Sequence, residues 1–180
     1  MEENNWKTQL STVSKKVNEH FGKLEERDLN WRPESGVWSI AQNLQHLIIT
    51  NESYFPVFKA IQNGTHKTPA LGKIGFFVSF CGKMILKAVE PERKKPMNTF
   101  PVWQPKKEVF DQGIVERFVN HQTALIAEVG KMNPFLNDKL VIASPANKNI
   151  VYTLEIALDI IVSHEKRHLN QALDLLNHFD

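Results

Sequence analysis

Two histidines late in the chain have a spacing that suits metal coordination. His164 and His168 are four residues apart, so on a helix both imidazoles project from the same face on successive turns. Two neutral imidazoles in this arrangement can hold one divalent ion, with bonds to nitrogen of about 2.0 to 2.1 Å. Paired histidines also occur in protein cores, where each ring is hydrogen-bonded to a carbonyl or a carboxylate. The spacing by itself therefore leaves a metal site and a structural pair open.

The same residues match H-E-x-x-H, the zinc-protease motif in which Glu165 would be the general base. Most such enzymes take a third ligand further along the chain. His178 and Asp180 follow His168, but the glycine of the extended motif is missing. A peptidase is therefore the least favoured hypothesis, and a third ligand would come from another helix. The candidates are His20, His46, His66 and His121.

The elements that must position these side chains are amphipathic helices. The paired histidines lie on the clearest one, which begins at Thr153 as a plausible N-cap and continues to Phe179. His46 lies on a helix that begins at Ser39, where Gln42 completes an S-x-x-Q capping box, and Pro56 predicts a kink near its end. Helical-wheel geometry places His46 roughly 130° from the centre of the apolar stripe. That position suits either solvent or the rim of a polar pocket.

The remaining pattern predicts two more long helices, at about 4–25 and 106–131, and no convincing set of strands. His121, at the margin of the later helix, is interpreted as a surface histidine. Prolines exclude a regular element from 90–105, where Trp103 is the largest apolar side chain and is expected to cover something. A short extra helix is predicted over 74–89, and 26–38, 63–73 and 133–152 are predicted to be connections. The fold class is therefore all-α, a four-helix bundle.

Two separated sequence segments carry a resemblance to a known family. W-S-I-A-Q-N-L-Q-H-L, which contains His46, and S-H-E-K-R-H-L-N-Q, which contains His164 and His168, together resemble the DinB-like family. The similarity extends over essentially the whole chain, from the first helix to Gln171. It implies an up-down-down-up four-helix bundle with a long crossover that carries the short extra helix. It also implies a metal site formed by His46, His164 and His168.

A site of three neutral imidazoles has the character of a catalytic metal centre, because it leaves coordination positions open and the charge of the ion uncompensated. Such an ion lowers the pKa of water or holds a thiol as thiolate. The resemblance implies thiol transfer to a small electrophile or metal-assisted hydrolysis, with a low-molecular-weight thiol as one candidate co-substrate. Zinc or nickel is the expected ion and iron a further candidate, since imidazole suits all three. The alternative is a non-catalytic helical module for binding or dimerisation, stabilised by the metal.

Other residues are candidates for the surroundings of the ion. Glu165 is a candidate proton acceptor or a carboxylate that orients an imidazole, and Gln171 a hydrogen-bonding neighbour, although a structural role is favoured for both. Trp38, Asn43 and Tyr54 are candidates to line the pocket, from their positions in the sequence alone.

Composition narrows the class of protein. The chain of 180 residues is long enough to form one domain, 1–180, with a real core. A net charge of +2 is too small to indicate nucleic-acid binding, and the basic groups Arg93-Lys94-Lys95 and Lys106-Lys107 lie among prolines and are interpreted as solvated loops. A single cysteine, Cys81, excludes an internal disulfide and a thiolate-only zinc site.

The expected environment is the cytoplasm. The first residues are polar and lack the apolar run of a secretory signal, and the apolar stretch 74–89 is too short to span a bilayer. The expected partner is a small-molecule substrate, with no nucleic acid and no membrane, and the family resemblance suggests a homodimer.

Overall fold

The structure is a computed structural model that describes residues 5–92 and 98–178. The first four residues, the basic group Arg93-Lys94-Lys95, Phe179 and Asp180 lie outside the described ranges. The helices are α1 (Trp6–Phe21), α2 (Glu26–Asn30), α3 (Ile40–Glu52), α4 (Phe55–Gln62), α5 (Gly75–Ala88), α6 (Ile114–Lys131) and α7 (Leu154–Leu176). The strands are β1 (Val141–Ser144) and β2 (Asn147–Thr153), and 3-10 turns occupy Ala70–Lys73, Pro101–Trp103 and Asn133–Asp138.

Four of these helices pack against one another in pairs. Helix α1 contacts α6 and α7, and α3 contacts the same two helices. Their apolar faces form two buried clusters, one containing Leu44, Phe118 and Leu169 and the other containing Leu10 and Leu158. The contact between α3 and α7 brings His46 to the paired histidines.

The predicted helix starts are confirmed for the helix that carries His46 and for the helix that carries His164 and His168. The Ser39 hydroxyl accepts from the backbone N–H of Gln42, whose side chain in turn accepts from the Ser39 N–H, so the capping box is complete. Thr153 caps α7 in the predicted way. The kink expected at Pro56 is instead a break: α3 ends at Glu52 and α4 begins at Phe55. Proline, which lacks an N–H, is tolerated in the first turn of the new helix.

Two long helices are shorter than their periodicity predicted. The first ends at Phe21, and its expected last residues are followed by the separate short helix α2 inside the predicted connection. The later helix begins at Ile114, not near 106. Asn30 explains this difference, because its side chain accepts from the Phe110 N–H at 2.9 Å and donates to the Phe110 carbonyl at 2.7 Å. This long-range pair uses the backbone groups that a helix would need.

The expectation of an all-α chain is wrong in one region, so the protein is mostly helical with a small two-stranded sheet. Residues 141–152 of the predicted connection, together with Thr153, form an antiparallel hairpin in which Val141 pairs with Thr153 and Ile142 with Tyr152. Pro145, which favoured a loop, lies in the turn between the strands, where it removes no ladder hydrogen bond. The strands are short and rich in β-branched residues, which fit a half-buried sheet.

The predicted extra helix is confirmed as α5, and it packs against β2 and α7. Within the described residues of the proline-rich segment, Pro101–Trp103 form a 3-10 turn. In the described part of the chain, no helix combines the length and the apolar character needed to cross a membrane.

Candidate metal centre

Three histidine side chains meet between α3 and α7. His164 and His168 lie one turn apart on α7, and His46 reaches them from α3. One ring nitrogen from each lies within 4.8 Å of those of the other two. His46 is only 1% exposed, so its position away from the apolar stripe reflects a buried polar site and not solvent. We call these three residues the histidine cluster.

Two of the rings are anchored through Nδ1. His46 Nδ1 lies 2.7 Å from the Trp103 carbonyl oxygen, and His168 Nδ1 lies 2.7 Å from Asn43 Oδ1. Both partners accept hydrogen bonds, so each Nδ1 carries the proton and each Nε2 keeps its lone pair. Asn43 is held in this orientation because its amide donates to the Ser39 carbonyl at 2.9 Å. The anchored rings therefore present Nε2 toward the centre of the cluster.

Burial keeps the three imidazoles of the histidine cluster uncharged. Burial lowers the pKa of His46 to about 4, against a weaker opposing effect of the hydrogen bond to Trp103. Burial also lowers the pKa of His164 and of His168 well below the usual value, and the neighbouring rings and the Arg167 guanidinium lower both further. All three imidazoles are thus uncharged near neutral pH, which is the form that binds a metal ion.

The spacing of the rings fits a single ion. His46 Nε2 and His164 Nε2 are 3.2 Å apart. Two nitrogens on a tetrahedral ion with bonds of about 2.0 to 2.1 Å are separated by about 3.3 Å. With its proton on Nδ1, His46 offers a lone pair toward the Nε2 of His164. The residues present therefore fit a divalent ion held by three imidazoles.

Trp38 and Trp103 enclose the histidine cluster. The Trp38 ring centroid lies 4.7 Å from that of His46 and 5.9 Å from that of His168. Trp103 supplies the carbonyl on His46, and its indole N–H donates to the Ser53 hydroxyl at 3.2 Å. Trp103 was expected to cover another part of the molecule, and it lies against the histidine cluster. Its backbone role carried no signal in the sequence, because any residue has a carbonyl.

A small cavity adjoins the histidine cluster at His164. It has a volume of about 50 Å³, and most of its wall is apolar. Tyr54 lies in the wall, and its hydroxyl pairs with that of Tyr152 at 2.8 Å. Tyr152 comes from the hairpin that the sequence pattern missed. The lining residues are Thr50, Asn51, Tyr54, Ile85, Val89, Phe100, Trp103, Ser144, Tyr152, Ile160, Ile161 and His164.

Glu165 points into a different environment. Its Oε1 accepts from the Asn51 amide at 2.7 Å and from the Gln122 amide, and all three side chains are fully buried. Burial raises the pKa of Glu165 to about 8, although both hydrogen bonds act in the opposite direction. Among the described residues, no hydrogen bond joins Glu165 to a ring of the histidine cluster. We call Asn51, Gln122 and Glu165 the glutamate cluster; nothing in the sequence pattern marked its two amides.

The other predicted residues have varied positions. Gln171 is half-buried, and within the described ranges it forms no hydrogen bond with a ring, so its role stays a prediction. His178 lies beside Trp31, at 5.7 Å between ring centroids, and does not join the histidine cluster.

His121, interpreted as a surface residue, is buried against Phe55, and burial lowers its pKa to about 4. Its helix is covered by α3 and α4, which periodicity within α6 cannot reveal.

The fold and the histidine cluster together define a class: a mostly helical protein with a buried three-histidine group that is compatible with metal binding. The chain belongs to the DinB superfamily, whose family model matches residues 9–172. A search of curated proteins and a search of solved structures each found no match.

Proposed function

We propose that the protein is a metal-dependent enzyme in which His46, His164 and His168 hold one divalent ion. The observation that carries this proposal is the convergence of three neutral rings, two of them oriented through Nδ1, at separations that suit one ion. The fold we propose with it is an up-down-down-up four-helix bundle, supported by the paired packing of α1, α3, α6 and α7.

The reaction we propose is thiol transfer to a small electrophile or metal-assisted hydrolysis. A bound zinc or nickel ion would act as a Lewis acid and lower the pKa of water or of a low-molecular-weight thiol. Three protein ligands leave a position for such a molecule in the usual tetrahedral arrangement. The small volume of the adjoining cavity supports a small-molecule substrate.

The side chains of the protein have separate tasks in this proposal. Asn43 and the Trp103 carbonyl orient two imidazoles, so little reorganisation is needed when the ion binds. Trp38 and the apolar wall limit access of water, which strengthens electrostatic interactions inside the site. We assign Glu165 to the glutamate cluster and not to the reaction, since its Oε1 accepts from the amides of Asn51 and Gln122 and no hydrogen bond among the described residues joins it to a ring of the histidine cluster.

The first test is metal analysis of protein purified without an affinity tag. We expect one ion per chain in the wild type and its loss in His46→Ala, His164→Ala and His168→Ala. His178→Ala is the matched control, because it removes a histidine outside the cluster and should leave the metal content unchanged. Retention of the metal by all three cluster variants would contradict the proposal.

The second test separates an enzyme from a non-catalytic module. Panels of thiols with electrophiles, and of hydrolysable esters and amides, are incubated with the protein before and after removal of the metal by a chelator. We expect turnover that disappears with the metal and returns when zinc or nickel is added. A protein that binds one ion but turns over none of these substrates would be the metal-stabilised module.

A further inference from the structure

Helix α5 has an exposed apolar ridge. The exposed large apolar side chains of the described residues are Ile74, Phe76, Phe80, Met84, Val102 and Val109, and the first four belong to α5 or immediately precede it. Phe76 is 79% exposed and Phe80 is 61% exposed. Phe76, Phe80 and Met84 follow one another at four-residue intervals, so they line one side of the helix. Exposed apolar groups concentrated in this way mark interaction surfaces more often than scattered ones do.

The same part of the chain is strongly basic. Residues 53–89 contain no aspartate and no glutamate, while the whole chain has a net charge of only +2. The segment has five lysines, all exposed: Lys59, Lys67, Lys73, Lys83 and Lys87. The rest of the chain is therefore net negative, and positive charge is concentrated in the sequence segment that contains α5. Lys83 and Lys87 lie beside the apolar ridge, and neither forms an ion pair with another residue in the described ranges.

We propose that this face of α5 binds the surface of a membrane that contains anionic lipids. Aromatic and apolar side chains on an interfacial helix enter the boundary between headgroups and acyl chains, and adjacent lysines bind the anionic headgroups. The lysines have long apolar stems, so their charged ends can remain at headgroup level while Phe76 and Phe80 are buried. This proposal revises the expectation of no membrane partner; it concerns binding at the surface only, because α5 cannot span a bilayer.

The distribution of charge favours lipid over a second copy of the chain. In a two-fold dimer built on α5, the same patch of both copies would meet, so the lysines of one copy would approach those of the other with no acidic residue of 53–89 between them. Like charges in an interface are repulsive. An anionic lipid surface complements Lys83 and Lys87 beside the apolar ridge, whatever their exact spacing. The opposite side of α5 contributes Ile85 and Val89 to the cavity beside the histidine cluster, so binding would bring that cavity close to the lipid.

The test is sedimentation of the full chain with lipid vesicles at low ionic strength. Vesicles of phosphatidylcholine are compared with vesicles that contain phosphatidylglycerol. We expect binding to the anionic vesicles that weakens as salt is added. The double variant Phe76→Ser with Phe80→Ser should bind about 100-fold more weakly, because it lacks the two rings that would be buried in the membrane. Lys83→Gln with Lys87→Gln should weaken binding by about 25-fold.

Matched controls distinguish binding through α5 from a nonspecific attraction of lysines to anionic vesicles. Lys15→Gln with Lys16→Gln removes the same charge from exposed positions on α1, and Val109→Ser removes an exposed apolar group elsewhere; both should bind as the wild type does. Thermal melts of all variants verify that these exposed substitutions leave the fold intact. Equal binding to neutral and anionic vesicles, equal binding by the α5 variants, or self-association that Phe80→Ser abolishes would overturn the proposal.

Discussion

The histidine cluster and the glutamate cluster are both buried, and both use consecutive residues of α7. His164 and Glu165 are neighbours in sequence, yet His164 faces α3 and the cavity while Glu165 lies between α3 and α6. In the histidine cluster His46 and His168 are oriented through Nδ1, so the Nε2 atom of each keeps its lone pair. In the glutamate cluster two amide donors already occupy one carboxyl oxygen. The first arrangement is compatible with a bound ion, and the second ties three helices together.

The largest expected difference comes from removing one member of each cluster. His168→Ala should lower metal affinity by more than the 10- to 100-fold typical of losing an orienting residue. Glu165→Ala should leave metal affinity nearly unchanged but lower the free energy of unfolding by about 3 kcal/mol, since two buried amides lose their acceptor. Metal titration and urea unfolding of both variants measure this. Loss of metal in the Glu165 variant, at full retention of fold, would place the carboxylate in the metal site.

A finer comparison uses two buried asparagines of α3. Asn43→Ala removes the acceptor that orients His168 and should weaken metal binding by about 10- to 100-fold. Asn51→Ala removes an equally buried amide from the glutamate cluster, so it should lower stability by about 1 to 3 kcal/mol without changing metal affinity. Isothermal titration of the two variants, at matched folded fraction, measures the contrast. Equal effects on affinity would mean that the two clusters act as one site.

The smallest expected effect is the opposite pH dependence of the two clusters in metal-free protein. The pKa of His46 is lowered from 6.5 to about 4, so the unfolded chain binds more protons between these values and stability rises with pH there. The pKa of Glu165 is raised from 4.5 to about 8, so the folded chain binds more protons and stability falls as pH rises across that interval.

Between about pH 6.5 and 8 His46 is uncharged in both the folded and the unfolded chain, so it no longer changes stability with pH. Glu165 still does, because its folded pKa is about 8. Stability should therefore decline over this interval by about 2 kcal/mol. Glu165→Gln, which keeps the shape but cannot ionise, should remove this decline and steepen the loss of stability on acidification below pH 6.5, because the opposing Glu165 effect is gone. Urea unfolding at a series of pH values measures both limbs. An unchanged alkaline limb in the Gln variant would mean that another group causes it.

Local signals in the sequence predicted several features correctly because their causes are local. The Ser39 capping box, the Thr153 cap, the amphipathic pattern of α7 and the one-turn spacing of His164 and His168 each depend on residues within a few positions. The position of α5 followed from the same kind of pattern. The spacing of His164 and His168 could not identify the third histidine. His46 was predicted from the resemblance to a family, and the structure places it with the other two.

Three of the wrong predictions depend on partners far apart in the chain. Asn30 holds Phe110 and delays the start of α6. The hairpin at 141–153 is stabilised by the pairing of its two strands and by packing on α5. Its short apolar runs show neither contact, so the pattern predicted a connection there. His121 is buried because α3 and α4 cover it, although its own helix places it at the margin of the apolar face.

The amino-acid sequence by itself determined which residue types are available to bind an ion and which helices present them, because periodicity and caps act over one or two turns. Only the tertiary structure decided that His46 meets His164 and His168, that Asn43 and the Trp103 carbonyl orient the rings, and that Glu165 turns toward Asn51 and Gln122. These outcomes depend on how α3, α6 and α7 pack together, and packing brings together atoms that are more than a hundred residues apart in the chain.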